Sequence, residues 1–110
     1  MEQKFYFGKD IAQTQPDKGV MRKILAHSPT MMMVEIDFEK DAIGTTHTHP
    51  HEQMTYIISG KFRFTNDGET QDVGPGDSIR FAPGVAHGTV CLEPGRLVDV
   101  FTPCREDFLA

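Results

Sequence analysis

Thr46-His47-Thr48-His49-Pro50-His51-Glu52-Gln53 runs directly into Met54-Thr55-Tyr56-Ile57-Ile58-Ser59-Gly60. Side chains alternate along an extended chain, so His47 and His49 point to one face. Imidazole is the commonest metal ligand, and two on one face make a chelating pair. Gln53 can add its side-chain oxygen if the chain reverses through Pro50. His87 lies far along the chain beside another turn-rich stretch and can complete the set. Histidine clusters also occur on solvated loops, and spacing alone leaves both readings open.

Outward from this stretch, Gly and Pro divide the chain into short segments with strand signals. Lys4–Phe7 alternates. Met31–Phe38 places Met32, Val34, Ile36 and Phe38 on one face. Thr55–Ser59 and Lys61–Thr65 flank Gly60, and Asn66-Asp67-Gly68 is a hairpin turn signal. Ser78–Phe81, Gly88–Leu92 and Leu97–Phe101 continue the pattern. No window keeps a helical period. Short strands at close spacing predict an all-β sandwich or barrel, which periodicity does not separate. The 110 residues fit one domain, 1–110.

Composition narrows the function classes. The net charge is -5, and no block of Lys and Arg provides a phosphate-binding stripe, so nucleic acid is not expected as a partner. No basic amphipathic helix and no apolar run near the ~20 residues of a transmembrane helix is present, so no membrane partner is expected. The N-terminus does not read as a signal peptide. Cys91 and Cys104 show no disulfide framework and read as reduced thiols of a cytoplasmic protein.

A second informative stretch is Asp99-Val100-Phe101-Thr102-Pro103-Cys104-Arg105-Glu106-Asp107-Phe108. Asp99 has apolar neighbours on both sides and shares a strand face with Phe101. A buried carboxylate must be paired, protonated or functional. An ion pair with Arg105, Arg80 or Arg22 is the structural alternative to a chemical role. Arg105 follows a proline and can fold back over a barrel mouth, with Glu106 available to orient it.

His47-x-His49-x3-Gln53-x6-Gly60 resembles the first cupin motif, with Gln53 where glutamate is usual. Gly76-x5-Ala82-x-Gly84-x2-His87 resembles the second, with Ala82 where proline is usual and Pro83 one place later. The two motifs span Gly44 to about Cys91, nearly half the chain. The resemblance implies a double-stranded β-helix, a small β-barrel with a divalent metal inside. His-x-His-Pro-His-Glu-Gln, followed by the C-terminal Asp-x-Phe-x-Pro-x-Arg-Glu-Asp-Phe, is similar to the KdgF-type pectin-degradation cupins. Gly19-Val20-Met21-Arg22 and Met31-Met32-Met33-Val34 extend the likeness over most of the chain.

That family opens the ring of 4,5-unsaturated uronate monosaccharides to a linear keto-uronate. Carried over, the metal ligands are His47, His49, Gln53 and His87, and the functional residues are Asp99, Phe101 and Arg105. Arg105 would hold the substrate carboxylate, Phe101 would pack on the sugar, and Asp99 would act as general acid/base. Gln53 leaves the metal charge at +2, which favours Lewis-acid chemistry over a dioxygenase. Ni, Zn, Fe, Co and Mn all suit the ligand types. The family analogy also implies a homodimer.

Two rivals follow from the same residues: a metal-dependent cupin of another class, such as an oxygenase, and a non-catalytic sugar- or metabolite-binding module. His51 reads as pocket rim, His27 as a loop residue and Met31–Met33 as core filling. Lys61, Arg63 and Arg80 read as solvated strand faces.

Overall fold

The computed structural model describes residues 2–110. Among these residues eight strands form one antiparallel sheet: β1 (Thr14–Asp17), β2 (Val20–Ser28), β3 (Met31–Phe38), β4 (Ile43–His47), β5 (Glu52–Asn66), β6 (Glu69–Val73), β7 (Ser78–Phe81) and β8 (His87–Thr102). β5 and β8 pair along nearly their whole lengths, from Glu52↔Thr102 to Asn66↔His87. Each changes its second partner midway. The Gly95–Phe101 half of β8 pairs with β3, and its His87–Val90 half pairs with β4. The Gln53–Tyr56 half of β5 pairs with β7, and its Phe62–Asn66 half with β6. These exchanges fold the sheet onto itself as a barrel.

The bend falls where the two long strands pass Gly60 and Pro94-Gly95. Gly60 has φ +80°, and a Cβ there would lie 2.6 Å from the Gly95 Cα. Only glycine meets both requirements at once. The sequence therefore shows Thr55–Ser59 and Lys61–Thr65 as two segments, whereas the structure makes them one strand. Gly88–Leu92 and Leu97–Phe101 merge in the same way. At the hairpin between β5 and β6, Asp67 and Gly68 have φ of 51° and 85°. Positive φ at both central residues is the turn geometry that suits hairpin twist.

Cross-strand pairing sets the inner face as rows. One row is Arg22, Ile36, Leu97 and Ile57; the next is Ile24, Val34, Asp99, Thr55 and Ile79. A third is Met32, Phe101, Gln53 and Phe81. Phe62, Phe81, Met32, Ile57 and Val34 are fully buried there, each contributing roughly 1.5–3 kcal/mol of apolar burial.

Three local expectations are corrected. Lys4–Phe7 is not a strand: Phe5 and Phe7 are exposed, and Tyr6 alone is anchored, its hydroxyl donating to the His27 carbonyl. His27 belongs to β2 rather than to a loop. Of the three consecutive methionines only Met32 fills the core, while Met31 and Met33 are exposed. β2 carries no clear alternation in sequence because Arg22 occupies one of its inward positions. Among the described residues no helix is long and apolar enough to cross a membrane.

Candidate metal centre and active site

The pairing His47↔His87 of β4 and β8 sets two imidazoles side by side, 4.5 Å between ring centroids. His49 lies beyond the end of β4, where its carbonyl accepts a hydrogen bond from the Gly84 amide at 2.9 Å. That bond ties the first histidine loop to the turn preceding β8, and the His49 ring lies 4.8 Å from His87. One ligand atom from each of the three imidazoles falls within 4.8 Å of the others.

The hydrogen bonds select the tautomers. Nδ1 of His47 donates to the Thr45 carbonyl at 2.8 Å, Nδ1 of His49 to His51 at 3.1 Å, and Nδ1 of His87 to Val85 at 3.1 Å. A carbonyl only accepts, so each Nδ1 carries the proton and each Nε2 offers a lone pair. The Nε2 of His87 is buried without a hydrogen-bond partner. Burial pushes the His87 imidazole down to about 4 and lowers that of His49 as well. Both are therefore neutral near pH 7.

Gln53 joins this group from β5. Its amide nitrogen donates to Asp99 Oδ1 and Thr55 Oγ1, both at 3.1 Å, which fixes its oxygen towards the histidines. That oxygen lies 2.9 Å from His49 Nε2. Two lone pairs at this distance call for a cation between them. With the orphaned His87 nitrogen, this donor set fits a divalent metal held by His47, His49, Gln53 and His87.

Asp99 sits in β8 directly behind the glutamine. Thr55 Oγ1 donates to its Oδ1 at 2.6 Å. Burial pushes its carboxyl up to about 6, against the opposing pull of the Thr55 and Gln53 hydrogen bonds and the Arg105 charge. Among the described residues no ion pair engages it. Arg80 pairs with Glu52, and Arg105 with Asp107. The alternative of an Asp–Arg ion pair is thus not realised: two neutral donors converge on one carboxylate oxygen, and Asp99 lines the cavity.

A cavity of about 130 Å³ opens at this point, lined by His47, Gln53, His87, Asp99, Phe101, Arg105 and Phe108 with apolar residues behind them. Arg105 is buried, its Nε and Nη2 donating to the two carboxylate oxygens of Asp107 at 3.0 and 2.8 Å. Asp107, rather than Glu106, orients it. Its guanidinium also lies over the rings of Phe108 (4.2 Å) and Phe101 (5.1 Å). His51 is half-buried on the rim, 6.4 Å from Phe101. A larger open depression of about 440 Å³ lies by Lys18, Glu39 and Lys40, away from the histidines. It holds no converging ligand set.

All seven residues singled out in the sequence come together here. Sequence reasoning missed Thr55, Asp107 and Phe108. Thr55 had a signal, since it shares a strand face with Gln53 two positions on. Phe108 had one too, as the last residue of the C-terminal stretch; a 3-10 turn over Glu106–Phe108 and stacking with two arginines place it.

The cupin domain family matches residues 34–101, and the chain belongs to that family. Among curated proteins, it is similar to the pectin degradation protein KdgF of Dickeya dadantii (strain 3937), 42% identical over 93 residues, covering 83% of this chain and 84% of that protein. The structure of KdgF from Halomonas sp. superposes with a TM-score of 0.92 at 34% identity, covering 97% of this chain and 99% of that one. An RmlC-like cupin from Shewanella frigidimarina NCIMB 400 gives a TM-score of 0.93 at 37% identity, covering 97% and 96%.

Proposed function

We propose that this protein opens the ring of 4,5-unsaturated uronate monosaccharides from pectin or alginate breakdown, giving the linear keto-uronate. The observation that carries this reading is Asp99: a buried carboxyl in hydrogen-bond contact with Gln53, facing a cavity shared with His47, His87 and Arg105. Pure binding has no use for a proton-transfer group so placed. The likeness to KdgF proteins, one of them named for pectin degradation, supports the substrate class.

A divalent transition metal on His47, His49, Gln53 and His87 supplies Lewis acidity, undiminished by any anionic ligand. Nickel, zinc, iron(II), cobalt and manganese all suit these donors. Arg105 has Nε and Nη2 engaged by Asp107, so Nη1 is its donor for the substrate carboxylate. Phe101 packs on the sugar ring and keeps water from it. Ring opening is an isomerisation, so protons must be moved rather than consumed. Asp99 takes the proton of the anomeric hydroxyl as the C1–O5 bond breaks, and returns it to C4 of the resulting enolate, giving the ketone at C5. Thr55 and Gln53 hold the carboxyl in place during both transfers.

We take residues 1–110 as one cupin domain acting in the cytoplasm, where the buried thiols of Cys91 and Cys104 stay reduced. The protein works as a homodimer. Met33 of β3 and Met54, Tyr56 and Ile58 of β5 are exposed on the outer face of one sheet, an apolar patch suited to a second copy.

The test follows ultraviolet absorbance of the conjugated C4=C5 bond with metal-loaded and metal-stripped protein. Metal-dependent loss of absorbance above the spontaneous rate is expected. Asp99→Asn should lower kcat by roughly 100-fold or more at unchanged metal content. Wild-type turnover by that variant would remove Asp99 from the mechanism.

A further inference from the structure

Arg22 stands in a row of inward-facing apolar residues, opposite Ile36, which itself opposes Leu97. Its Nε is buried with no hydrogen-bond partner, and no ion pair engages it among the described residues. Its guanidinium lies 4.0 Å from the centroid of the Phe108 ring, the same ring that carries Arg105 at 4.2 Å. A phenyl ring has room for one planar guanidinium on each face, so the two arginines take opposite faces. The carboxylate at hand, Asp107, is already bound in two-point fashion by Arg105. One positive charge is left over beside the cavity of a chain whose net charge is -5.

An unpaired arginine is an expensive way to pack a phenylalanine, because its desolvation is not offset by a partner. A methionine would fill the same space without that cost. Arg22 is half-buried; its desolvation and then the neighbouring Arg105 weaken its hold on its proton, against a smaller opposing pull from Asp107, whose carboxylate is committed to Arg105. The surplus charge is explained if an anion enters the cavity.

We propose that Arg22 is a specificity-determining positioning residue: through Phe108 and its own charge it sets Arg105 and biases the cavity towards sugars bearing a carboxylate. The inference rests on the uronate reading above, and it concerns selection of the acid rather than ring opening. Arg22 does not touch the substrate; Phe108 stands between them.

The test uses the full chain loaded with Zn(II), titrated calorimetrically with galacturonate, which has no C4=C5 bond to react, and with neutral galactose. Wild type should prefer galacturonate. Arg22→Met should lose about ten-fold in galacturonate affinity, the loss expected for one nearby charge, with galactose affinity unchanged. Arg22→Lys, which keeps the charge, should recover most of the loss. Added salt should weaken galacturonate binding more steeply in wild type than in Arg22→Met. In turnover of the unsaturated uronate, Arg22→Met should raise KM about ten-fold with kcat within about two-fold of wild type. The inference is overturned if wild type shows no preference for the acid, if Arg22→Met binds it normally, or if both variants lose acid and neutral sugar alike. Preference for galacturonate without turnover of the unsaturated uronate would discard the ring-opening reading and leave the role of Arg22 standing.

Discussion

The amide of Gln53 faces two ways: its oxygen meets the histidines and its nitrogen binds Asp99 and Thr55. A glutamate here would set a second carboxylate against Asp99 in the barrel interior and remove a donor from it. The glutamine therefore keeps the ligand set neutral and Asp99 satisfied by a single choice. The consequence for pH concerns the metal-free protein. Burial raises Asp99 from 3.8 to about 6, so its share of stability is full below the lower value and is lost as pH rises through the upper one. Burial lowers His87 from 6.5 to about 4, so its share is present above the higher value and is lost as pH falls through the lower one. The two effects oppose each other over one interval. Asp99→Asn removes the first and leaves the second, so its thermal midpoint should gain on wild type between pH 3.8 and about 6. Parallel curves in circular-dichroism melts would sink the account. At this scale much was legible in the sequence. The histidines showed by spacing, and Asp99 by being a charge in an apolar strand. The role of Thr55 was hidden because a threonine in a strand needs no special explanation.

β5 and β8 carry the architecture, and each has a glycine where it bends. Gly60→Ala brings a Cβ to 2.6 Å from the Gly95 Cα and the Pro94 carbonyl oxygen, at φ +80°. Backbone opposes it on all sides, so no flexible side chain can yield. We expect a loss of roughly 3 kcal/mol or more, read as a lower denaturation midpoint. Gly68→Ala, in the open at φ +85°, should lose only the turn preference, about 1 kcal/mol. Equal losses in the two variants would contradict the close-approach argument. The same glycines explain how the elements were read. Glycine and proline mark breaks in a sequence, and here two of those breaks are bends inside continuous strands. β3 was legible from end to end because its alternation is uninterrupted. β2 was not, because turning Arg22 inward, half-buried, reverses the usual sorting of charge and apolar groups.

For the molecule as a whole, the exposed face that includes Met54 and Tyr56 is too apolar to be left in water without consequence. If the proposed dimer forms through this face, Met54→Asp places a charge in the middle of it and should shift sedimentation to that of a monomer while the fold persists; an unchanged sedimentation coefficient would exclude this face. Removing the metal from either species should lower stability by an amount set by its affinity, about 4 kcal/mol at a thousand-fold excess over Kd. An unaltered melt would show that the histidine centre holds no metal. The barrel was legible at this scale because two motifs mark its opposite strands. The extended N-terminal arm and the C-terminal segment over the mouth were not, since a few tertiary contacts of Tyr6, Arg22 and Phe108 hold them rather than any periodic pattern.

The rows across β5 and β8 also say how such a protein can diversify. Gln53 faces Phe101 and Thr55 faces Asp99 on directly paired strands. Substitutions can retune that surface one side chain at a time. A single-codon insertion or deletion within either strand would instead turn the whole row outward. Relatives that keep this chemistry should therefore vary in length at the Asp67-Gly68 tip and the termini, and hold their spacing constant from Gln53 to Ile57 and from Leu97 to Phe101.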